Sequence, residues 1–228
     1  MLKVENVIKQ YRGVNVVNDV SITLSKGKVY GLVGINGCGK STLMKIICTL
    51  VSPQSGNVTW DGDEIAEAKN KGLKIGYMIE SPAFFGNLSG YDNLAVLAEL
   101  YDGVTKSDIN RVLEITGLTP NAKKRYKEYS LGMKQRLYFS YALINEPNLL
   151  ILDEPFNGID PVTNVIFKKI IKGYAEKGCC VFVTSHAIAD IQSVCDEVFV
   201  MQSGKIIENI TDMSKTDLES EIFGLLKD

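Results

Sequence analysis

Residues 29–41 read VYGLVGINGCGKS. An uncharged apolar run enters a glycine-rich octet ending in Gly-Lys-Ser, and TLMKIICTL at 42–50 then takes helical apolar spacing that stops before Pro53 and Gly56. Strand, loop and helix in this order satisfy G-x-x-x-x-G-K-[ST], the pattern of a phosphate-cradling loop. Gly34, Gly37 and Gly39 permit a tight turn with inward-facing amides, and the helix start adds partial positive charge. Lys40 can then reach the β- and γ-phosphates of a nucleotide while the Ser41 hydroxyl ligates Mg²⁺.

Asn36, Cys38 and Thr42 complete the expected phosphate-binding set. Cys38 has two readings: a thiolate stabilised by the loop amides, whose alkylation would block nucleotide binding, or a small side chain filling a permissive position.

Further along, LLILDEP at 149–155 places four apolar residues before Asp153 and Glu154. Asp153, at a strand end, can hold the magnesium ion through water, and Glu154 can polarise the attacking water. VFVTSHA at 181–187 is another short strand followed by the one histidine, His186, which can hydrogen-bond at the γ-phosphate.

The 228 residues carry 25 Lys and Arg against 27 Asp and Glu, a formal charge of −2, without a basic block of the kind that grips a nucleic-acid backbone. Nucleic acid is therefore not an expected partner. No window of 18 apolar residues occurs, and MLKVENVIKQY reads as a strand rather than a signal peptide, so a cytosolic chain is expected. The five cysteines, at 38, 48, 179, 180 and 195, have no CxxC spacing and read as reduced thiols.

Short alternating segments, VENVIKQY and VNDVSITL, flank a turn at Arg12-Gly13 and predict an antiparallel sheet feeding a central strand at 29–33. NVTWDGDEI predicts a hairpin arm turning at Asp61-Gly62. From Ser89 to Leu118 the period is helical, with Gly90, Gly103, Gly117 and Pro120 as punctuation; strands return at LLILD and CCVFVT. The expected architecture is one α/β domain: a core with its β arm at about 1–85 and 149–210, a helical insertion at about 86–148, and a tail at 211–228 that is helical, with Thr216 capping and Glu219 at the capping-box position.

With these motifs in order over residues 1–210, the chain resembles the ATP-binding subunit of an ATP-binding cassette (ABC) transporter. YSLGM at 129–133 is similar to the family's signature sequence. The resemblance implies a P-loop NTPase core with an N-terminal antiparallel β subdomain and an inserted helical subdomain. It also implies ATP and Mg²⁺ as cofactors, and a head-to-tail dimer, a homodimer here, in which Ser130 and Gly132 of one copy contact the γ-phosphate held by the other. Tyr11 is similar to the aromatic residue that stacks on adenine, Asp160 in NGID to the aspartate that communicates between sites, Glu154 to the catalytic glutamate and His186 to the switch histidine. Integral membrane permease subunits are the implied partners, placing the chain peripherally at the cytoplasmic face of the membrane.

Three positions depart from the family pattern. Glu80 stands in GYMIES where most relatives have glutamine, and a carboxylate there can ligate Mg²⁺ or orient water but cannot donate a hydrogen bond. Tyr129 and Leu131 replace the commoner leucine and glycine. MIESPAFFGNLSGYDNL together with YSLGMKQRL resembles the exporter subunits of bacitracin resistance and lantibiotic immunity. By the same resemblance, residues 81–101, with Pro82, Phe84, Phe85, Leu88, Tyr91 and Leu94, receive the coupling helix of the membrane partner. The alternatives are an exporter of another substrate, or a soluble ABC-type ATPase acting on ribosomes or DNA; the single cassette, without sustained heptads or a basic block, argues against the latter.

Overall fold

In the computed structural model, which describes residues 1–80, 84–214 and 217–227, the first strand β1 (Leu2–Tyr11) buries Leu2, Val4 and Val7. It turns at Arg12 and Gly13, both at positive φ (51° and 82°), into β2 (Val14–Leu24). A two-residue turn of this kind matches the strand twist and sets the register Tyr11↔Val14. β4 (Ser55–Trp60) pairs with the other edge of β1, and β5 (Asp63–Glu64) follows the Asp61-Gly62 turn, giving the antiparallel order β2-β1-β4-β5.

The second sheet holds β3 (Val29–Val33) at its centre. It pairs in parallel with β8 (Cys180–Thr184) and β9 (Glu197–Gln202); β7 (Leu149–Leu152) and β6 (Ile75–Met78) extend one side, and β10 (Lys205–Ile210) closes the other edge antiparallel. Both faces of these strands are covered, which is why they read as continuous apolar runs rather than alternating ones. Their residues nevertheless divide by parity: Leu149, Ile151 and Phe182 enter the core facing α1 (Lys40–Ile47) and the antiparallel sheet, whereas Leu150, Leu152 and Val183 enter the opposite core.

That opposite core is built by α3 (Gly90–Ala98), α4 (Lys106–Ile115), α5 (Leu131–Leu143), α6 (Pro161–Glu176) and α7 (Ile188–Val194), with Phe139 and Phe167 in contact at 4.1 Å between ring centroids. Ser89 caps α3 and Thr105 caps α4 in a full capping box with Asp108. A short helix α2 (Ile65–Asn70), outside the sequence expectation, follows the hairpin arm. The tail forms α8 (Leu218–Lys227), with Leu218 and Ile222 buried in the second core; the expected cap Thr216 lies outside the described residues. The expected mixed α/β architecture, with strand, glycine loop and helix at its centre, is the one observed.

Candidate active site

The site grows from the carboxyl ends of three neighbouring strands. β8 lies between β3 and β7, so the loop after β3, the acids after β7 and the histidine after β8 converge at one edge. A cleft of about 210 Å³ there is lined by Asn36, Gly37, Gly39, Lys40, Ser41 and Thr42 from the loop, by Asp153, Glu154 and His186, and by Val16 of β2. A cleft of this size suits phosphates and a metal ion rather than a whole nucleotide.

The loop is fixed by close packing. A Cβ on Gly39, which caps α1 at φ 112°, would lie 2.2 Å from the Val16 carbonyl oxygen, and one on Gly34 would lie 2.2 Å from that of Met201. From outside, the amide of Gly204, in the β9–β10 turn, donates to the Cys38 carbonyl at 2.9 Å. Lys40 is buried, its ammonium donating to the carbonyls of Gly34 (2.7 Å) and Ile35 (3.2 Å), and so lies across the loop.

Cys38 corrects one expectation. Its side chain turns inward against Gly34, and burial raises the thiol pKa, outweighing the opposing effect of Lys40. The loop amides therefore do not hold a ready thiolate; the small space-filling role is the one observed. All five cysteines are buried and free.

The acids are ordered by a residue for which sequence reasoning had no role. Thr184, the last residue of β8, donates to Asp153 Oδ1 at 2.6 Å and accepts from the Glu154 amide at 2.8 Å. Ser41 donates to Asp153 Oδ2 at 2.5 Å, joining the two residues expected to hold the metal. A parallel strand ending in Thr beside the acidic strand was the available signal, but which strands are neighbours is not written locally.

Glu154 has left-handed backbone (φ 52°), and its Oε2 accepts from the His186 amide at 3.1 Å. Its Oε1 is shielded and receives no hydrogen bond, although His186 Nε2 lies 3.1 Å away. Burial raises the pKa of this carboxyl, opposed by His186 and Lys40. A carboxylate lining the cleft beside Lys40 and Ser41 fits a site that receives a nucleotide and a water. Ser41 and Asp153 bring together oxygen ligands of the kind suited to Mg²⁺ carried on phosphates.

The remaining expected residues lie elsewhere. Tyr11 sits beyond the cleft, 47% exposed, with Lys9 Nζ 5.4 Å from its ring centroid. Ser130 caps α5, and neither it nor Gly132 lines the cleft. Gly132 instead neighbours Asp160: a Cβ built there would lie 3.7 Å from Asp160 Oδ2. Asp160 caps α6 through the Thr163 amide and faces Arg136 at 3.6 Å. Leu131 is 64% exposed beside Gly158. The Glu80 carboxylate, expected beside the metal, pairs in this structure with Lys45 on α1. The reason is that Lys45 presents a full positive charge within reach of the loop after β6.

Comparison with known proteins bears on this arrangement. Residues 17–157 match the family model described as ABC transporter. The chain belongs to the ABC transporter family. As an ABC-transporter ATP-binding subunit it is an ATP-hydrolysing domain, and its relatives include the bacitracin transport ATP-binding protein BcrA of Enterococcus faecalis, 42% identical over 219 residues, covering 94% of this chain and 71% of that protein. The lantibiotic transport ATP-binding protein SrtF of Streptococcus pyogenes is 42% identical over 207 residues, covering 91% and 89%. Among solved structures, an ATP-binding subunit of an ABC transporter superposes with a TM-score of 0.83 at 27% identity, covering 100% of this ABC subunit and 95% of that chain. No helix among the described residues is long and apolar enough to cross a membrane.

Proposed function

We propose that this ABC ATPase works as a head-to-tail homodimer, each copy closing the other's nucleotide site, at the cytoplasmic face of a membrane, driving separately encoded permease subunits that export antimicrobial peptides of the bacitracin or lantibiotic kind. The observation that carries the dimer is the separation within one chain: Lys40, Ser41, Asp153, Glu154 and His186 gather at one cleft, while Ser130 and Gly132 stand away from it beside Asp160. A phosphate site open on one side gains its missing donors when a second α5 start is brought over it. The cargo rests on the relatives, whose names are bacitracin and lantibiotic transport proteins.

Each residue then has a task. Lys40, which spans the loop carbonyls, exchanges them for the β- and γ-phosphates. A magnesium ion between Ser41 and Asp153 would offset phosphate charge. The Glu154 carboxylate, which lines the cleft beside Lys40 and Ser41, polarises the attacking water towards the γ-phosphorus. His186, 3.1 Å from Glu154, hydrogen-bonds at the γ-phosphate, and Tyr11, half-exposed, stacks on adenine.

The deciding experiment is affinity capture from native membranes of tagged Glu154→Gln protein with Mg-ATP, which should slow hydrolysis and hold the closed pair. Recovery of a multi-helix membrane polypeptide whose loss sensitises cells to such peptides supports the reading. Recovery of ribosomes or DNA-bound proteins, with no membrane polypeptide, overturns it.

A further inference from the structure

The structure ties the Glu80 carboxylate, in the loop after β6, to Lys45 on α1, one helical turn beyond Ser41. Ser41 and Lys45 are four residues apart on α1 and therefore share one helix face, separated by about 6 Å along the axis. Glu80 lies two residues past the end of β6, whose last residue, Met78, accepts from the Asp153 amide at 2.7 Å. Its backbone thus runs beside the acid strand while its carboxylate is drawn one helical turn down α1.

The main chain is held in place. The phenol of Tyr138 on α5 accepts from the Ile79 amide at 2.9 Å and donates to the Glu80 carbonyl, so residues 79 and 80 are clipped from both sides. With the main chain clipped, the Glu80 carboxylate, on a side chain 76% exposed, can change partner by side-chain rotation.

We propose that Lys45 is a positioning residue that holds Glu80 off the metal until Mg²⁺ arrives with the nucleotide, so that metal loading and release of the Lys45–Glu80 pair are one event. This rests on the ATP-site reading above. Lys45 offers a single charge at the far end of the helix turn, and a divalent ion beside Ser41 outcompetes it for the same carboxylate. The device follows from the carboxylate: a glutamine at position 80 would form no ion pair with Lys45 and would have nothing to be released from.

The test is the metal-linked gain in affinity for a non-hydrolysable ATP analogue, taken as the Kd in EDTA divided by the Kd in Mg²⁺, in the intact chain. Lys45→Gln should raise this ratio about two- to fivefold, the range of an exposed ion pair, and Lys45→Arg should leave it near the starting value. In a Glu80→Gln background, Lys45→Gln should change nothing. An unchanged ratio in Lys45→Gln overturns the proposal, as does an equal rise with and without Glu80, which would mark a general field effect. Absence of any metal-dependent analogue binding by the unaltered chain would instead overturn the ATP-site reading, and the proposal with it.

Discussion

Thr184 donates to Asp153 Oδ1 at 2.6 Å and accepts from the Glu154 amide at 2.8 Å, so a single hydroxyl on the strand between the loop and the acids fixes the Asp153 carboxylate and the Glu154 main chain. Because Ser41 holds the other Asp153 oxygen, the carboxylate is braced from two elements before any ligand arrives. Thr184→Val keeps shape and removes both bonds. Hydrogen bonds to charged groups are worth about 1.5–3 kcal/mol, so kcat should fall roughly ten- to a hundredfold, with Thr184→Ser near the parent rate. Steady-state ATPase assays on the two variants check this; equal rates for valine and serine would remove Thr184 from the site's architecture.

Glycine substitutions in the loop should rank by what surrounds them. At Gly37 a Cβ meets nothing within 4 Å, so Gly37→Ala carries only the cost of positive φ, about 1–2 kcal/mol. At Gly39 the added carbon would collide with the Val16 carbonyl. Thermal unfolding of the two proteins should show the larger loss of Tm for Gly39→Ala, with nucleotide binding abolished; a reversed order contradicts the packing described.

The raised pKa of Glu154 predicts where activity fails on acidification. A general base must be ionised, and burial keeps this carboxyl protonated to higher pH than a free one, so the acid limb of ATPase activity should lie above the ordinary glutamate pKa of about 4.3. The sign for stability is opposite: the folded state binds this proton more tightly than the unfolded one, so stability from this group increases as pH falls through the folded value. Paired pH–rate and pH–melting profiles test both halves, and Glu154→Gln should remove the limb along with turnover.

Cys38 should resist alkylation. Burial suppresses its thiolate, so iodoacetamide at neutral pH should label the native chain slowly and the denatured chain at all five cysteines, as intact-mass spectra would show. Rapid native labelling at Cys38, blocked by ATP, would restore the thiolate reading.

Phe85→Asp tests the proposed membrane contact. Its ring is 55% exposed, while its backbone is gripped by the buried Asn93, which accepts from the Phe85 amide at 2.7 Å and donates to its carbonyl at 3.1 Å. The charge should therefore leave Tm within about 1–2 °C, since exposed substitutions cost at most about 0.5 kcal/mol, and should abolish permease capture and peptide resistance. Normal resistance with normal capture would refute the contact.

The phosphate loop, the acid-bearing and histidine-bearing strand ends and the first hairpin were readable in advance because each is set by residues adjacent in sequence. Thr184 and the Glu80–Lys45 pair were not, because each depends on which strands or helices become neighbours, a relation of residues 31 and 35 positions apart. Cys38 misled for a related reason: the loop amides suggested a stabilised thiolate, whereas burial of the side chain beside Gly34 outweighs them. Glu197–Gln202 escaped notice as the strand beside β3, although its register there, with Gly31 opposite Val198, seats the phosphate loop.

The Gly204–Cys38 bond joins a hairpin turn to the phosphate loop, and the Asn18 amide donates in turn to the Gly204 carbonyl at 2.8 Å. The loop is thereby tied to a turn that is itself tied to the antiparallel sheet, so it cannot loosen alone without breaking the Gly204–Cys38 bond. In deuterium exchange the Gly204 amide would serve as a spectator, touching no substrate yet recording each opening of the loop, and its slow exchange would mean that little order remains for ATP to impose.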